Sequence, residues 1–231
     1  MYYKLNIFFF AVFYSCSLFS AIAPTDTFAT FFTVCEGFTE KSLVVLDVDR
    51  VLIEPRDAIM RVSNQRLLWE LRYKYWNHLQ PAQIANISSL VSLSESSTIV
   101  DPLAIHFISH LQAKNIPVIG LTATGTTGYG HIASIPDWRI NDLARFGISF
   151  ATSFQQHPPF MLTQLNSNGP SPVFKSGIVF TGGYSKGNVL EAFLDTVGFM
   201  PDKVLFADDL LHNLISVETA LFDMGVHEVY S

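Results

Sequence analysis

Residues 42–53 read SLVVLDVDRVLI, an apolar run that ends in two closely spaced aspartates. Its apolar run, residues 43–46, is short, rich in valine and followed at once by charge, which is typical of a strand buried on both faces within a parallel sheet. Asp47 and Asp49 come directly after the run. Two carboxylates ~4 Å apart repel by roughly 4 kcal/mol at an effective dielectric near 20. A divalent cation would offset that repulsion, although a solvated acidic turn would show the same pattern.

The composition indicates a folded and mildly acidic chain. Its 231 residues are 49% hydrophobic and 15% charged, which is enough for one domain with a full core and a small insert. The net charge is −6, and the sequence holds no basic run and no stripe of basic and aromatic residues. These features argue against nucleic-acid binding.

The first residues read as an export signal. Lys4 is followed by an apolar and aromatic run, residues 7–19, and then by small residues. This order predicts a secretory signal peptide over residues 1–23 and a mature domain over residues 24–231, in the periplasm or outside the cell. The apolar run is short for a membrane span, so no membrane association is expected once the signal is removed.

Two alternatives to cleavage stay open. The segment could remain as an uncleaved anchor, or Cys16 could carry a lipid, although the residues before it make a poor lipidation motif. If the signal is removed, Cys35 is the only cysteine left, and no internal disulfide can form.

Helix and strand patterns alternate after residue 40, which predicts an α/β fold with a doubly wound, Rossmann-like parallel sheet. Residues 56–98 read as a small helical insert, whose aromatic side chains are expected to pack rather than to bind a ligand. Strands are expected at residues 42–47, 117–122, 148–152, 203–207 and 226–230, helices at 101–114, 137–146, 186–197 and 210–222, and a hairpin or protruding loop between 155 and 180.

Polar side chains recur where the predicted strands end. Asp47, Thr122 and Asp208 each follow or close a buried strand, at the edge of an open α/β sheet where ligands bind. Lys186 begins a predicted helix, where a cation opposes the helix dipole unless an anion lies nearby. The pattern therefore predicts a site for anions and cations at this edge of the sheet.

These segments resemble the four motifs of the haloacid dehalogenase-like superfamily of phosphohydrolases. The matches are Asp-x-Asp at Asp47 and Asp49, an apolar strand ending in Thr122, a helix opened by Lys186, and an apolar strand ending in Asp208 and Asp209 with Asn213 four residues on. They occur in order within residues 41–230. The chain also looks similar to a poorly characterised secreted group of that superfamily in intracellular Gram-negative bacteria. Arg50 and Val51 depart from the commoner residues without removing a catalytic group.

The resemblance implies a Mg²⁺-dependent phosphatase or phosphotransferase with a small helical cap. Asp47 would be the nucleophile that forms an aspartyl-phosphate. Asp49 would protonate the leaving group and then activate water. Thr122 and Lys186 would bind phosphate oxygens, and Arg50 would either help hold a phosphate or cover the mouth of the site.

The same resemblance implies a ligand set for Mg²⁺, a cation that prefers hard oxygen ligands. Its members would be the carboxylates of Asp47 and Asp208 and the backbone carbonyl of Asp49. Asp209 or Asn213 would contact that shell.

The expected partner is a small-molecule or macromolecular phosphoester substrate. A second hypothesis is a catalytically weak relative that acts as a binding or host-interaction factor; the intact pair of Asp47 and Asp49 argues against it. A dehalogenase is a third reading, which Asp49 and the metal set do not favour.

Two further stretches resemble ligand sites. Residues 125–130, GTTGYG, follow a predicted strand but lack the glycine spacing and the lysine of the known nucleotide loops. His106 and His110 have the four-residue spacing of a zinc site, but Phe107 stands where a metalloprotease needs glutamate. Neither signal is therefore expected to form a site of its own.

Overall fold

The computed structural model describes residues 19–25, 27–165 and 169–231. Most of the predicted signal peptide, including Lys4 and Cys16, lies outside these residues. The described strands and α-helices are β1 Phe19–Ala21, α1 Ala29–Val34, β2 Leu43–Leu46, β3 Ile53–Pro55, α2 Gln65–Trp76, α3 Pro81–Ser94, β4 Ser97–Ile99, α4 Leu103–Ala113, β5 Val118–Thr122, α5 Ile135–Ala144, β6 Phe160–Met161, β7 Val173–Lys175, β8 Ile178–Phe180, α6 Lys186–Val197, β9 Lys203–Ala207, α7 Leu211–Asp223 and β10 Glu228–Tyr230.

The main sheet has the strand order β1-β10-β9-β2-β5-β8-β7-β6. Neighbouring strands from β1 to β8 pair in parallel, and β7 and β6 add an antiparallel edge. Strand β2 therefore lies in the middle of the sheet between β9 and β5. The prediction of an α/β fold with a mostly parallel sheet is confirmed.

Helices cover both faces of the sheet, and the side chains of β2 pack into the cores on both faces. Val44 and Leu46 lie in a core with residues of α4 and α5, whereas Leu43 and Val45 lie in a second core with residues of α6 and α7. All four side chains are fully buried. Because burying one such side chain contributes about 1.5–3 kcal/mol, this four-residue run strongly favours the central position of the strand.

One predicted strand is wrong. Residues 148–152 form no strand, although Ile148 and Phe150 are buried, and residues 151–156 turn instead. Strand β8 occupies the place beside β5. The chain at Phe150 passes so close to Gly177 that a Cβ on the glycine would lie 2.0 Å from the Phe150 carbonyl oxygen. This segment therefore packs against the β7–β8 hairpin, whose prediction is confirmed.

Residues 56–98 hold α2 and α3 and are framed by the antiparallel pair of β3 and β4. Helix α2 contains no buried residue, and Trp69, Tyr73 and Tyr75 are exposed. The expectation that these aromatic side chains pack is wrong for these three. The main contacts of α2 are with two short 3₁₀ turns, and the three aromatic rings stay exposed.

The glycine-rich loop after β5 packs on α3. Gly130 has a φ of +54°, and a Cβ there would lie 2.2 Å from Ser89 Oγ. The backbone N–H of His131 donates a hydrogen bond to the same oxygen at 2.9 Å. Glycine is required here by both the backbone conformation and the close approach, and the contact ties the inserted helices to the end of β5.

The start of the described chain belongs to the sheet. Strand β1 pairs with β10, and the N–H of Ala23 donates to the carbonyl of Ser231 at 2.7 Å. Strand β1 and Ala23 fall within the predicted signal peptide, so its removal after residue 23 would also remove β1. In the described ranges, no helix has the length and apolar character needed to cross a bilayer.

Candidate active site

Three adjacent strands bring the predicted site residues together. Asp47 follows β2, Thr122 closes β5 and Asp208 follows β9, and these parallel strands are neighbours with their carboxyl ends at one edge. Lys186 is the first residue of α6. The structure therefore gathers residues that are up to 161 positions apart, from Asp47 to Asp208, at one place.

Lys186 lies between two aspartates. Its Nζ is 2.7 Å from Oδ1 of Asp47 and 2.6 Å from Oδ2 of Asp208. The side chain of Lys186 is only 2% exposed, and that of Asp208 has no solvent exposure. A buried ammonium needs such partners, since removing one would leave an unpaired buried charge. The two carboxylates also offset the unfavourable position of Lys186 at the positive end of a helix.

Asp47 is the buried carboxylate of this group. Burial raises its pKa to about 7, Lys186 opposes that shift, and the nearby Asp208 adds to it. Oδ1 accepts hydrogen bonds from the Val48 N–H and from Lys186. Within the described residues, Oδ2 has no hydrogen-bond partner. That oxygen is the one available to bind a cation or to attack an electrophile.

Asp208 is held by the start of α7. Its Oδ1 accepts a hydrogen bond from the Leu210 N–H at 2.8 Å, and Asn213 Nδ2 lies 3.0 and 3.2 Å from its two oxygens. Asn213, named from the sequence as a secondary site residue, thus contacts Asp208 directly. These bonds fix the orientation of the carboxylate toward Lys186.

Three carboxylates form a group that can hold a metal ion. One oxygen from each of Asp47, Asp208 and Asp209 lies within 4.8 Å of the others. An all-oxygen donor set of this kind fits hard cations such as Mg²⁺ or Ca²⁺ and does not select between them. Asp209 also forms an ion pair with Arg50 Nη1 at 3.1 Å. The predicted coordination by the Asp49 carbonyl stays a prediction.

Arg50 adopts an unusual backbone conformation at this site. Its φ is +71°, which lies in the left-handed region that few residues other than glycine and asparagine adopt readily. Strain of this kind is of order 1–3 kcal/mol and persists where the surroundings fix the turn. Here the Arg50 N–H donates to the Ile53 carbonyl at 2.6 Å, which closes the turn after Asp49.

Asp49 lies apart from the metal group. Its Oδ1 accepts a hydrogen bond from Arg139 Nη2 at 2.8 Å, and Thr122 Oγ1 lies 3.5 Å from its Oδ2. The side chain of Asp49 is 43% exposed, whereas that of Arg139 is only 9% exposed. Asp49 is therefore reachable from solvent, while Arg139 approaches it from the protein interior.

Arg139 is the site residue that the sequence analysis missed. It lies on α5, 90 residues from Asp49, and it also pairs with Asp142 at 3.3 Å. Its guanidinium carbon lies 4.6 Å from the centre of the Trp138 ring. Nothing in the local sequence distinguishes it from a surface arginine on an amphipathic helix, so no sequence signal could have identified the contact.

Thr122 lies in the interior, and the two histidines lie away from the acidic group. Thr122 is fully buried, and its Oγ1 lies 3.2 Å from the Thr124 hydroxyl. His106 and His110 contact the Phe32 ring and lie outside the acidic group. The group of possible metal ligands found among the described residues consists of Asp47, Asp208 and Asp209.

The fold and site define an α/β protein with a cluster of carboxylates and a buried lysine at the carboxyl edge of its sheet. The chain belongs to a family described as "Protein of unknown function (DUF2608)", whose pattern matches residues 24–229. The resemblance to the haloacid dehalogenase-like superfamily is therefore wrong as a family assignment. Each of its motifs is short, and acidic residues after strands recur in many unrelated α/β proteins.

The chain is also similar to proteins of three Rickettsia species that are described as uncharacterised. An uncharacterised protein of Rickettsia prowazekii (strain Madrid E) is 23% identical over 216 residues, covering 91% of this chain and 77% of the relative. One from Rickettsia bellii (strain RML369-C) is 24% identical over 183 residues, covering 78% of this chain and 63% of the relative. One from Rickettsia felis (strain ATCC VR-1525 / URRWXCal2) is 28% identical over 118 residues, covering 50% of this chain and 40% of the relative. The chain thus matches less than two thirds of the latter two relatives. No solved structure matches the chain.

Proposed function

We propose that the protein is a Mg²⁺-dependent phosphatase, either a phosphomonoester hydrolase or a phosphotransferase, that acts through an aspartyl-phosphate on Asp47. One observation carries the proposal. A buried carboxylate at the end of the central strand contacts a buried lysine and lies within 4.8 Å of two further aspartates. Such a site suits a dianionic phosphate only when cations are present, because the carboxylates alone would repel it.

The proposed reaction uses two carboxylates in different roles. Oδ2 of Asp47 attacks phosphorus and forms a new P–O bond, while the bond from phosphorus to the leaving oxygen breaks. Asp49 gives its proton to that oxygen and then takes one from the water that hydrolyses the aspartyl-phosphate. Asp47 and the protonated Asp49 are then restored, and the products are an alcohol and phosphate. An acceptor alcohol in place of water would give phosphotransfer.

Lys186 and Thr122 are proposed to bind the phosphate oxygens. Lys186 is already held at Asp47 by its ion pairs, so its ammonium lies beside the attacking carboxylate. Arg139 would hold Asp49 in the orientation needed to protonate the leaving group.

The proposed metal would be held by Asp47, Asp208 and Asp209, with the backbone carbonyl of Asp49 as a further ligand. When bound, Mg²⁺ would neutralise negative charge on these carboxylates and on the phosphate. Asn213 would keep Asp208 oriented for that role.

We also propose that the protein is exported and acts in the periplasm or outside the cell. The support is the sequence of residues 1–23, with one early lysine followed by an apolar run. N-terminal sequencing of the natural protein is expected to return a start between residues 21 and 25. A start at Met1 or Tyr2 would reject export by signal cleavage.

A second candidate function is binding of a host or other partner by a catalytically weak protein. The exposed aromatic residues Trp69 and Tyr73 on α2 favour it, because large exposed apolar surfaces often mark interaction sites. This candidate predicts that substitutions at Asp47 leave the protein's role intact.

The test is a panel of phosphomonoesters assayed with purified protein, with Mg²⁺ and with EDTA. Asp47→Asn is the matched control, since it keeps the shape of the side chain and would expose any contaminating phosphatase. Release of phosphate that needs Mg²⁺ and disappears in Asp47→Asn is the expected result. Equal release by Asp47→Asn, or none from any ester with Mg²⁺, would reject the proposal and favour the binding candidate.

A further inference from the structure

A cavity of about 560 Å³ lies next to the acidic group. Asp209, whose side chain is 23% exposed, lines it together with Asp208, whose side chain has no solvent exposure, and both cluster with Asp47 within 4.8 Å. Arg50 lines the cavity beside them. The volume falls within the range of roughly 300–1,000 Å³ that is usual for ligand pockets. A molecule in this cavity would therefore have one end at the charged groups of the proposed active site.

The rest of the cavity is mainly apolar. Residues 22–25 line one side, of which 22 and 23 fall within the predicted signal peptide, and side chains from later in the chain line the rest. The main apolar ones are Phe28, Phe31, Val51, Val100, Leu211 and Leu214. Leu211 is 60% exposed and Val100 is also exposed, so part of this apolar surface faces water at the rim. A ligand with an apolar body would cover it.

The polar groups of the apolar end are already engaged. Oδ2 of Asp101 accepts hydrogen bonds from the Phe28 N–H and the Thr27 hydroxyl, and its Oδ1 accepts one from the Leu103 N–H. These bonds leave few free donors or acceptors there for a sugar or a nucleoside, whose hydroxyls and ring nitrogens need partners when buried. The cavity therefore has an apolar end and a charged end, and the charged end would accept an anion once a bound cation neutralises Asp208 and Asp209.

We infer that this cavity binds the apolar body of the substrate, and that the protein acts on phosphomonoesters of extended alkyl alcohols. The inference rests on the proposed function, because it places the phosphate at the group of Asp47, Asp208 and Asp209. It adds a substrate class to that function. The alkyl chain would extend from the acidic group between the rings of Phe28 and Phe31 on one side and the start of α7 on the other.

Binding of non-hydrolysable alkylphosphonates tests the inference without requiring turnover. Calorimetry with the full chain and Mg²⁺ would compare methyl-, butyl-, hexyl- and octylphosphonate below their micelle concentrations. Each methylene that enters the cavity should lower Kd about fourfold, the equivalent of about 0.8 kcal/mol. Affinity independent of chain length, or no binding of any phosphonate, would overturn the inference.

Helix α7 offers a matched pair of variants. Leu211 and Ile215 lie one turn apart and are 60% and 51% exposed, but only Leu211 lines the cavity. Leu211→Gln should weaken octylphosphonate binding about tenfold more than methylphosphonate binding, and Ile215→Gln should not discriminate between the two ligands. Both positions are exposed, so both variants should fold. Equal discrimination by the two variants would assign the effect to general surface hydrophobicity and overturn the inference.

A hydrolysis series separates this inference from the proposed function. If octylphosphonate binds much more tightly than methylphosphonate but octyl phosphate and aryl phosphates release no phosphate, the apolar site stands and the phosphatase proposal fails. If aryl phosphates are hydrolysed and alkyl chain length changes neither Kd nor KM, the phosphatase stands and the assigned substrate class fails.

Discussion

Arg139 donates a hydrogen bond from Nη2 to Oδ1 of Asp49 at 2.8 Å. The contact joins a nearly buried arginine to a carboxylate that is 43% exposed. It gives Asp49 a cationic partner of its own, separate from the lysine that contacts Asp47. The two carboxylates of the Asp-x-Asp sequence therefore have different neighbours, and different chemical roles can be tested for each.

Arg139→Gln should disturb the proton-transfer step. Without the guanidinium, Asp49 loses the contact that orients it. The kcat for esters with a poor leaving group should therefore fall about tenfold more than the kcat for nitrophenyl phosphate, whose leaving group needs no proton. The measurement is kcat for an alkyl phosphate and for nitrophenyl phosphate. Arg145→Gln is the control, because Arg145 also pairs with Asp142 but makes no contact with Asp49. An equal fall for both substrates in Arg139→Gln would contradict the positioning role.

Asp47→Asn and Asp49→Asn should fail at different steps. Asp47→Asn should form no aspartyl-phosphate and show essentially no turnover, because it lacks the nucleophile. Asp49→Asn should lose about 10²–10⁴-fold in turnover yet still accept phosphate from an aryl phosphate, and the label should accumulate on Asp47.

Mass spectrometry of acid-quenched protein after reaction with an aryl phosphate makes this distinction. The wild-type chain quenched at early times is the reference. Phosphate found on a residue other than Asp47, or equal residual turnover in the two variants, would remove the assigned roles.

Asp208→Asn should weaken metal binding. Its carboxylate belongs to the acidic group, and few protein ligands together with several waters are expected to give Mg²⁺ dependence in the millimolar range. The half-saturating Mg²⁺ concentration, read from thermal stabilisation as well as from activity, should rise in the variant. Asp223→Asn, an exposed position at the end of α7, should behave as wild type. Full activity after EDTA treatment would exclude the metal.

The metal-free protein should lose stability as pH rises toward neutrality. Burial raises the pKa of Asp47 to about 7 from an ordinary value of 3.8, so the folded state holds a proton that the unfolded state has released. The stability that this proton contributes to the folded state is fully present below pH 3.8 and is lost as the pH rises through 7. Between pH 5 and pH 8 the free energy of unfolding should fall by on the order of 2–3 kcal/mol more in wild type than in Asp47→Asn.

Urea unfolding in EDTA at pH 5 and pH 8 measures this difference. Lys186 keeps its contact with Asp208 in the variant, so the comparison isolates the titration of one carboxylate. Parallel pH dependence in the two proteins would show that Asp47 titrates near its ordinary pKa.

Local sequence was enough to predict much of the fold and the meeting of several residues of the candidate site. The buried strand before Asp47 was evident from four consecutive apolar residues, and the helix Lys186–Val197 was placed at its observed bounds by its amphipathic period and the glycine that follows it. Because the carboxyl ends of neighbouring parallel strands share one edge, Asp47, Thr122 and Asp208 could be expected to meet there. These features depend on patterns within about twenty residues and on a general rule of α/β topology.

Tertiary structure alone decided the contacts between distant helices and the exposure of the insert. The bond from Arg139 to Asp49 depends on how α5 lies against the sheet, and the exposure of Tyr73 depends on the absence of a described element over α2. Residues 148–152 have the apolar content of a strand, but the neighbouring position was taken by β8. In each case the local sequence is compatible with several outcomes, and packing between segments far apart in the chain selects one of them.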